Sequence, residues 1–174
     1  MAELTTSRLR IVALSLPQFA MFIAGDSALA ADLGAAPPIA PPEGHTLDAM
    51  RWLLARATDH PEHHAWYTCW LIARKEDGRV VGSACFKGPP DMAGQVEAGY
   101  GIDAAYRLNG YMSEAAGALY AWALLQPGVR AVLAETDRDN LASRRVCERC
   151  GMRETGMEGD RVLWRLECDR GAGG

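Results

Sequence analysis

Between residues 106 and 115 the chain reads Tyr106-Arg107-Leu108-Asn109-Gly110-Tyr111-Met112-Ser113-Glu114-Ala115. A glycine at the entry to a helical pattern marks a strand-to-helix turn, where the first N–H groups of the helix lack a partner of their own. The helix dipole adds partial positive charge there, and the pair of effects suits a phosphate or pyrophosphate. Backbone geometry alone also places one glycine in such a turn wherever φ must be positive. Two other groupings hold metal-ligating residue types: His60, His63 and His64 with Cys69, and Cys147 with Cys150. No second Cys-x-x-Cys pair exists and the spacings fit no zinc site, so no metal is expected. His60-Pro61 reads instead as a helix terminus, where histidines are at ease.

The elements that carry these residues follow from the hydrophobic period. Arg8 to Val12 alternates as a strand with one exposed face, and Ser15 caps a short helix that tolerates Pro17 in its first turn. Four prolines between Asp32 and Gly44 predict an ordered but irregular loop. Leu47, Met50, Leu53, Leu54 and Ala57 then line one face of a helix. The middle reads as a meander: Trp66 to Arg74, a turn at Glu76-Asp77-Gly78-Arg79, Val80 to Phe86, a loop over Lys87 to Gly94, and a third strand. In that strand Val96, Ala98, Tyr100 and Ile102 alternate with Gln95, Glu97, Gly99 and Gly101. A helix from near Met112 to Pro127-Gly128, a strand over Val129 to Thr136, a helix over Asn140 to Arg149 and a last strand over Arg161 to Leu166 complete the order. The expectation is one α/β domain over 1–174, with a mixed sheet, helices on its faces and a short C-terminal tail. Trp52, Trp66, Trp70, Trp122 and Trp164 are assigned mostly to core positions, with Trp66 also a candidate border of a cleft.

Composition narrows the classes. The chain has 174 residues, 49% hydrophobic and 23% charged, enough to bury one substantial core. Its 18 Lys plus Arg against 22 Asp plus Glu give a net charge of −4, and no basic run could track a phosphate backbone. Nucleic acid is therefore not an expected partner. The longest apolar stretch, Ile11 to Ala24, falls short of the roughly 20 residues that span a bilayer and is broken by Pro17 and Gln18. Gly25-Asp26-Ser27 is a poor signal-peptide cleavage site, so neither export nor a membrane is expected. An odd five cysteines suggest a reduced, cytoplasmic protein.

The segment around Gly110 resembles the acyl-CoA loop of the GCN5-related N-acetyltransferases, whose pattern is Gln/Arg-x-x-Gly-x-Gly/Ala. Arg107 and Gly110 match it, Met112 stands where the family prefers Gly or Ala, and Leu108 where a glycine is common. Four more stretches agree in order. Thr6 to Ile11 looks like the family's first strand, and Val81 to Phe86 like the strand before the substrate loop. Val96 to Ile102 looks like the central strand that holds pantetheine. Asn140 to Met152 looks like the Asn-x-x-Ser helix, with Met152 in place of Phe. The resemblance spans about residues 5–166 and is nearest to the ribosomal-protein N-terminal acetyltransferases.

That resemblance implies a bent sheet splayed between two central strands, with acetyl-CoA in the split as cosubstrate and an amine as acceptor. It implies that backbone groups at Ile102 pair with pantetheine and that Asn140 reaches the same arm. The N–H groups of Leu108, Gly110, Tyr111, Met112 and Ser113 would hold the pyrophosphate, with Arg107 adding charge. Glu97 becomes the candidate base, and Glu135 its rival. Many relatives carry Tyr where this chain has Cys147, so Cys147 and Ser143 are the candidate acids. Tyr111 reads as packing. Dimers are common among relatives, and the apolar run Val162-Leu163-Trp164 is a candidate interface. The alternative reading is a fold relative that binds acyl-CoA without catalysis, because Met112 could crowd the pyrophosphate.

Overall fold

The computed structural model describes residues 2–168. A short strand β1 (Glu3–Thr5) turns through Thr6-Ser7 into β2 (Leu9–Ala13). Helix α1 (Leu16–Ala24) is held at its start by a reciprocal cap, in which the Ser15 hydroxyl accepts the Gln18 N–H and the Gln18 side chain accepts the Ser15 N–H. Gly25, at φ 68°, closes its other end. Helices α2 (Ala28–Leu33) and α3 (Gly44–Asp59) flank the proline-rich stretch, which is irregular from 35 to 43 apart from one bridge between Ala36 and Arg79. A single-turn helix α4 (His64–Tyr67) leads into the meander β3 (Cys69–Arg74), β4 (Val80–Phe86) and β5 (Gln95–Ile102). Then come α5 (Tyr111–Leu125), β6 (Ala131–Asp137), α6 (Leu141–Arg149), β7 (Arg153–Glu158) and β8 (Arg161–Glu167).

The eight strands form one sheet in the order β1-β2-β3-β4-β5-β6-β8-β7. Every pairing is antiparallel except β5 with β6. That parallel pair runs only from Gln95↔Ala131 to Ala98↔Ala134. Beyond it β5 stays with β4 as far as Ile102↔Gly82, and β6 stays with β8 as far as Asp137↔Arg161. The sheet therefore parts along its middle, and residues 99–102 turn an unpaired backbone edge toward β6. The expected splay is present.

Period-2 patterning assigns the two faces. Leu9, Ile11, Trp70, Ile72, Val81, Val96, Ala98 and Val132 point toward α5 and α6 and bury the main core with Ala115, Leu119 and Tyr120. Leu14, Cys69 and Leu71 point the other way, against Phe19, Phe22, Leu29, Met50 and Leu53 from α1 to α3. Trp122 joins the first core to Trp66, Trp70 and Phe86 at centroid distances of 5.1, 5.0 and 5.8 Å.

Several expectations are corrected. Trp66 lies in α4, not in a strand, and β3 starts only at Cys69. Trp66 packs on Phe86 and lines a separate hollow with His63, Pro89 and Pro90, among the loops at the opposite end of β5 from the splay. Trp52 is 52% exposed on α3, where it meets the Tyr67 ring edge-on instead of entering the core. The tail strand β8 is no outer surface: Val162 and Trp164 are buried, and β6 and β7 flank it on both sides. The expected tail lies, from residue 169, outside the described residues.

Candidate active site

Three segments meet where the sheet parts, around a cleft of about 710 Å³. Its floor is the unpaired end of β5, with Tyr100, Gly101 and Ile102 among its lining residues. One wall is the loop 104–110 and the start of α5. The other is α6, from its cap at Asn140 to Arg149.

The α5 wall is made mainly of backbone. A turn of 3-10 helix at Ala104–Tyr106 leads to Arg107, and Leu108 then adopts φ 64°, rare for a side-chain-bearing residue. Asn109 ties the loop to itself, donating its side-chain amide to the Tyr106 and Arg107 carbonyls. Gly110, at φ 77°, is the N-cap of α5 and brings no side-chain acceptor. The first helical donor with a partner is Glu114, whose N–H reaches the Gly110 carbonyl. The N–H groups of Tyr111, Met112 and Ser113 remain without a protein acceptor among the described residues, as helix termini dictate. Met112 is 5% exposed and packs with Ala115 and Ala116 in the core, so the expected crowding by its side chain does not occur.

This loop is clamped from below by the N-terminal hairpin. One oxygen of Glu114 accepts from the Thr6 and Ser7 hydroxyls and the Arg8 N–H, and the other pairs with Arg8 Nε at 2.7 Å. Burial pushes the Glu114 carboxyl up, but the hydrogen bonds from Thr6, Arg8 and Ser7 outweigh it and hold it down at about 2. Arg8 also donates to the Asn109 carbonyl and lies over the Tyr111 ring at 4.6 Å. Arg74 donates to the Tyr111 hydroxyl from the other side. Tyr111 is thus a packing residue of the loop, as its position suggested.

The α6 wall is made of side chains. Asn140 caps α6, its carbonyl oxygen accepting the Ser143 N–H at 3.0 Å. Its amide N–H groups have no partner among the described residues and stand at the cleft. Tyr100 reaches across from β5, its hydroxyl 3.1 Å from Ser143 Oγ, 3.2 Å from the Ser143 carbonyl and 3.4 Å from Cys147 Sγ. Burial, reinforced by the bond to Cys147, pushes the Tyr100 phenol well above its ordinary value, so the group stays an O–H donor. Burial likewise raises the Cys147 thiol, which is fully enclosed and does not line the cleft.

The structure therefore brings together Ile102, Arg107, Leu108, Gly110, Tyr111, Met112, Ser113, Asn140 and Ser143. It keeps Cys147 one layer behind them. It places Glu97 on the opposite face of β5, toward α1–α3, in an ion pair with Lys87. Glu135 is exposed on β6, also outside the cleft. Among the described residues no group of three His, Cys, Asp or Glu side chains could hold a metal ion. Tyr100 and the arginines Arg145 and Arg149 are cleft residues that sequence reasoning did not single out. The signals were present: Tyr100 stands in the apolar row of β5, and Arg145 and Arg149 are four apart on one helix.

Comparison with known proteins agrees with this geometry. A family model described as an acetyltransferase (GNAT) domain matches residues 8–153. A protein of Bacillus subtilis called an uncharacterized N-acetyltransferase, YjdG, is 35% identical over 85 residues, 49% of this chain and 51% of that protein. The match thus spans about half the length of that curated relative. Among solved structures, the ribosomal-protein-S5-alanine acetyltransferase of Vibrio fischeri superposes with a TM-score of 0.70 at 14% identity, covering 98% of each chain. RimL, a ribosomal L7/L12 α-N-protein acetyltransferase solved with coenzyme A, gives 0.68 at 15% identity, covering 97% of this chain and 99% of its own. These two likenesses show the fold. With the family model matching residues 8–153, most of its length, the chain belongs to the GNAT family of acetyltransferases.

Proposed function

We propose that the chain moves acetyl from acetyl-CoA to a primary amine, a protein N-terminus or a small-molecule amine, by direct attack in a ternary complex. The observation that carries this reading is the split between β5 and β6: it leaves strand-edge donors and acceptors beside unpartnered helix N–H groups in one cleft. The edge around Ile102 suits the amides of pantetheine, which can pair with it as a short extra strand. The N–H groups from Leu108 to Ser113 suit the pyrophosphate, with Arg107 adding charge. Asn140 offers its free amide to the pantetheine arm.

Chemistry then divides between the two sheet faces. The amine lone pair attacks the thioester carbon, the C–S bond breaks, and the nitrogen loses a proton. Glu97 stands on the face away from the CoA wall and takes that proton directly or through water once Lys87 has moved aside. An α-amino group, with an ordinary pKa of about 8, needs less help than a lysine near 10.4. The departing thiolate takes a proton through Ser143, whose hydroxyl is positioned by Tyr100 and regains its proton from water in the open cleft. Cys147, enclosed behind Tyr100, fits a supporting part better than a direct one.

The remaining proposals are coarser. A single domain over 1–174 is proposed on the strength of the one sheet and two cores of the described residues. All five cysteines are free, which accords with a cytoplasmic protein. No helix of the described residues is long and apolar enough to cross a membrane. Partners are acetyl-CoA and the amine, not nucleic acid or a membrane, with a homodimer as the proposed assembly.

The test is a titration of acetyl-CoA by calorimetry, followed by a thiol-release screen. Acceptors would be peptides with free and with blocked N-termini, lysine-only peptides and polyamines. Turnover with at least one primary amine, together with a Glu97→Gln variant that keeps acetyl-CoA affinity and loses roughly 100-fold in kcat/KM, is expected. Binding without turnover on any amine would identify an acyl-CoA-binding module instead.

A further inference from the structure

The cleft is electrostatically one-sided. Its lining includes three arginines, Arg107, Arg145 and Arg149, and no carboxylate, in a chain whose net charge is −4. None of the three has an ion pair or side-chain hydrogen bond among the described residues, whereas Arg144, their neighbour on α6, is bonded to Glu154. Unpaired guanidiniums gathered on a concave surface suit an anionic ligand, and their planar forks suit phosphate oxygens in particular.

Arg145 and Arg149 are four residues apart, which places them side by side on one helical face. Their position along the cleft is fixed at both ends of α6. Near its start, Ser143 meets Tyr100 at the split; at its end, Cys150 Sγ lies 3.5 Å from the Ser113 carbonyl, in the first turn of α5. The two arginines therefore stand toward the end of the cleft where the free N–H groups of α5 are, away from the thioester end. Charge then argues for two anions there, not one. A helix terminus contributes about half a positive charge and Arg107 one more, which roughly balances the two charges of a pyrophosphate diester. A phosphomonoester brings about 1.5 to 2 further negative charges at neutral pH, and needs its own cations.

We propose that Arg145 and Arg149 form a second anion subsite that takes the 3′-phosphate of coenzyme A, making the enzyme discriminate against donors lacking that group. This rests on the reading of the cleft as the acetyl-CoA site. Arg107 serves the pyrophosphate and is indifferent to the 3′-phosphate.

Calorimetric titration of coenzyme A and of 3′-dephospho-coenzyme A at one ionic strength tests it. Wild-type protein is expected to bind the dephosphorylated ligand at least roughly tenfold more weakly, as loss of charge-assisted contacts implies. The Arg145→Ala/Arg149→Ala double variant, changed at exposed helix positions, should bind both ligands with the same, weaker affinity. Arg107→Ala should weaken both and preserve their ratio. Equal wild-type affinities for the two ligands, or a ratio that survives in the double variant, would overturn the subsite while leaving the cleft reading intact. Failure of wild-type protein to bind either ligand would overturn the cleft reading and the subsite with it.

Discussion

The two walls of the cleft meet the same ligand with different materials. The α5 wall offers N–H groups that exist whatever the side chains are: Leu108 and Met112 stand where the resemblance leads one to expect small residues, without closing the loop. The α6 wall offers side chains, Asn140, Ser143, Arg145 and Arg149, so each substitution there changes what is presented. A wall of backbone is robust in composition and depends on its supports. A wall of side chains is robust in position and depends on its identities.

The floor shared by both walls should give the largest effect. A Cβ on Gly82 would lie 2.4 Å from the Gly101 carbonyl oxygen and 3.0 Å from the Ile102 Cα, forcing β4 from β5. Gly82→Ala is expected to cost about 3 kcal/mol in denaturant unfolding and to abolish acetyl-CoA binding in calorimetry, taking both walls at once. Retained binding would show that the floor yields.

Next in size is the support of the backbone wall. Glu114→Gln removes the charge that gathers Thr6, Ser7 and Arg8, and should lower stability by about 2 kcal/mol and weaken acetyl-CoA binding several-fold, although Glu114 does not line the cleft. The carboxyl is depressed in the folded protein, so its stabilisation is complete above about pH 4.5 and is lost as pH falls toward about 2. Urea midpoints of wild type and variant should therefore differ at pH 7 and converge near pH 2 to 3. A constant gap would mean that the clamp does not depend on charge.

On the side-chain wall, Tyr100→Phe removes one oxygen from the contact with Ser143 and Cys147. Here kcat should fall roughly tenfold with the affinity for coenzyme A unchanged within about twofold, measured by thiol release and calorimetry. A loss in affinity alone would move Tyr100 from positioning to binding. The smallest effect belongs to Leu108, 96% exposed at φ 64°. Leu108→Gly relieves about 1 to 2 kcal/mol of left-handed strain and loosens the unfolded chain by up to about 1 kcal/mol, leaving a rise in the melting midpoint of a few degrees at most.

The same contrast sets what could be read from sequence. Elements with a clean period or a named cap were legible: α1 from Ser15 and Pro17, α3 from its apolar face, β5 from its alternation, and the α5 turn from Gly110. Strand β7, Arg-Glu-Thr-Gly-Met-Glu, is exposed along nearly its whole length and shows no alternation, so only its pairing with β8 makes it a strand. Trp66 reads as strand because an aromatic beside Tyr67 has strand propensity, yet burial against Phe86 and Trp122 favours a helical turn there. Loop residues of the site were legible because backbone chemistry follows from local pattern. Tyr100 was not, since its partners lie 43 and 47 residues away and only the fold brings them within reach. Glu97 was correctly placed on its strand face, but its pairing with Lys87 needed the loop between β4 and β5.

The interrupted pairing of β5 and β6 reaches beyond catalysis. An outer strand such as β7 is kept from joining other chains by charges on it, Arg153, Glu154 and Glu158. The inner edge at residues 99–102 has no such guard, because a guarded edge could not admit a ligand. The fold thus carries a permanent gap in its own hydrogen bonding, left for a diffusible molecule to complete. On the proposed reading, the free energy of unfolding rises with the logarithm of donor concentration above its dissociation constant, so that the donor would protect the folded chain as well as supply its acetyl group.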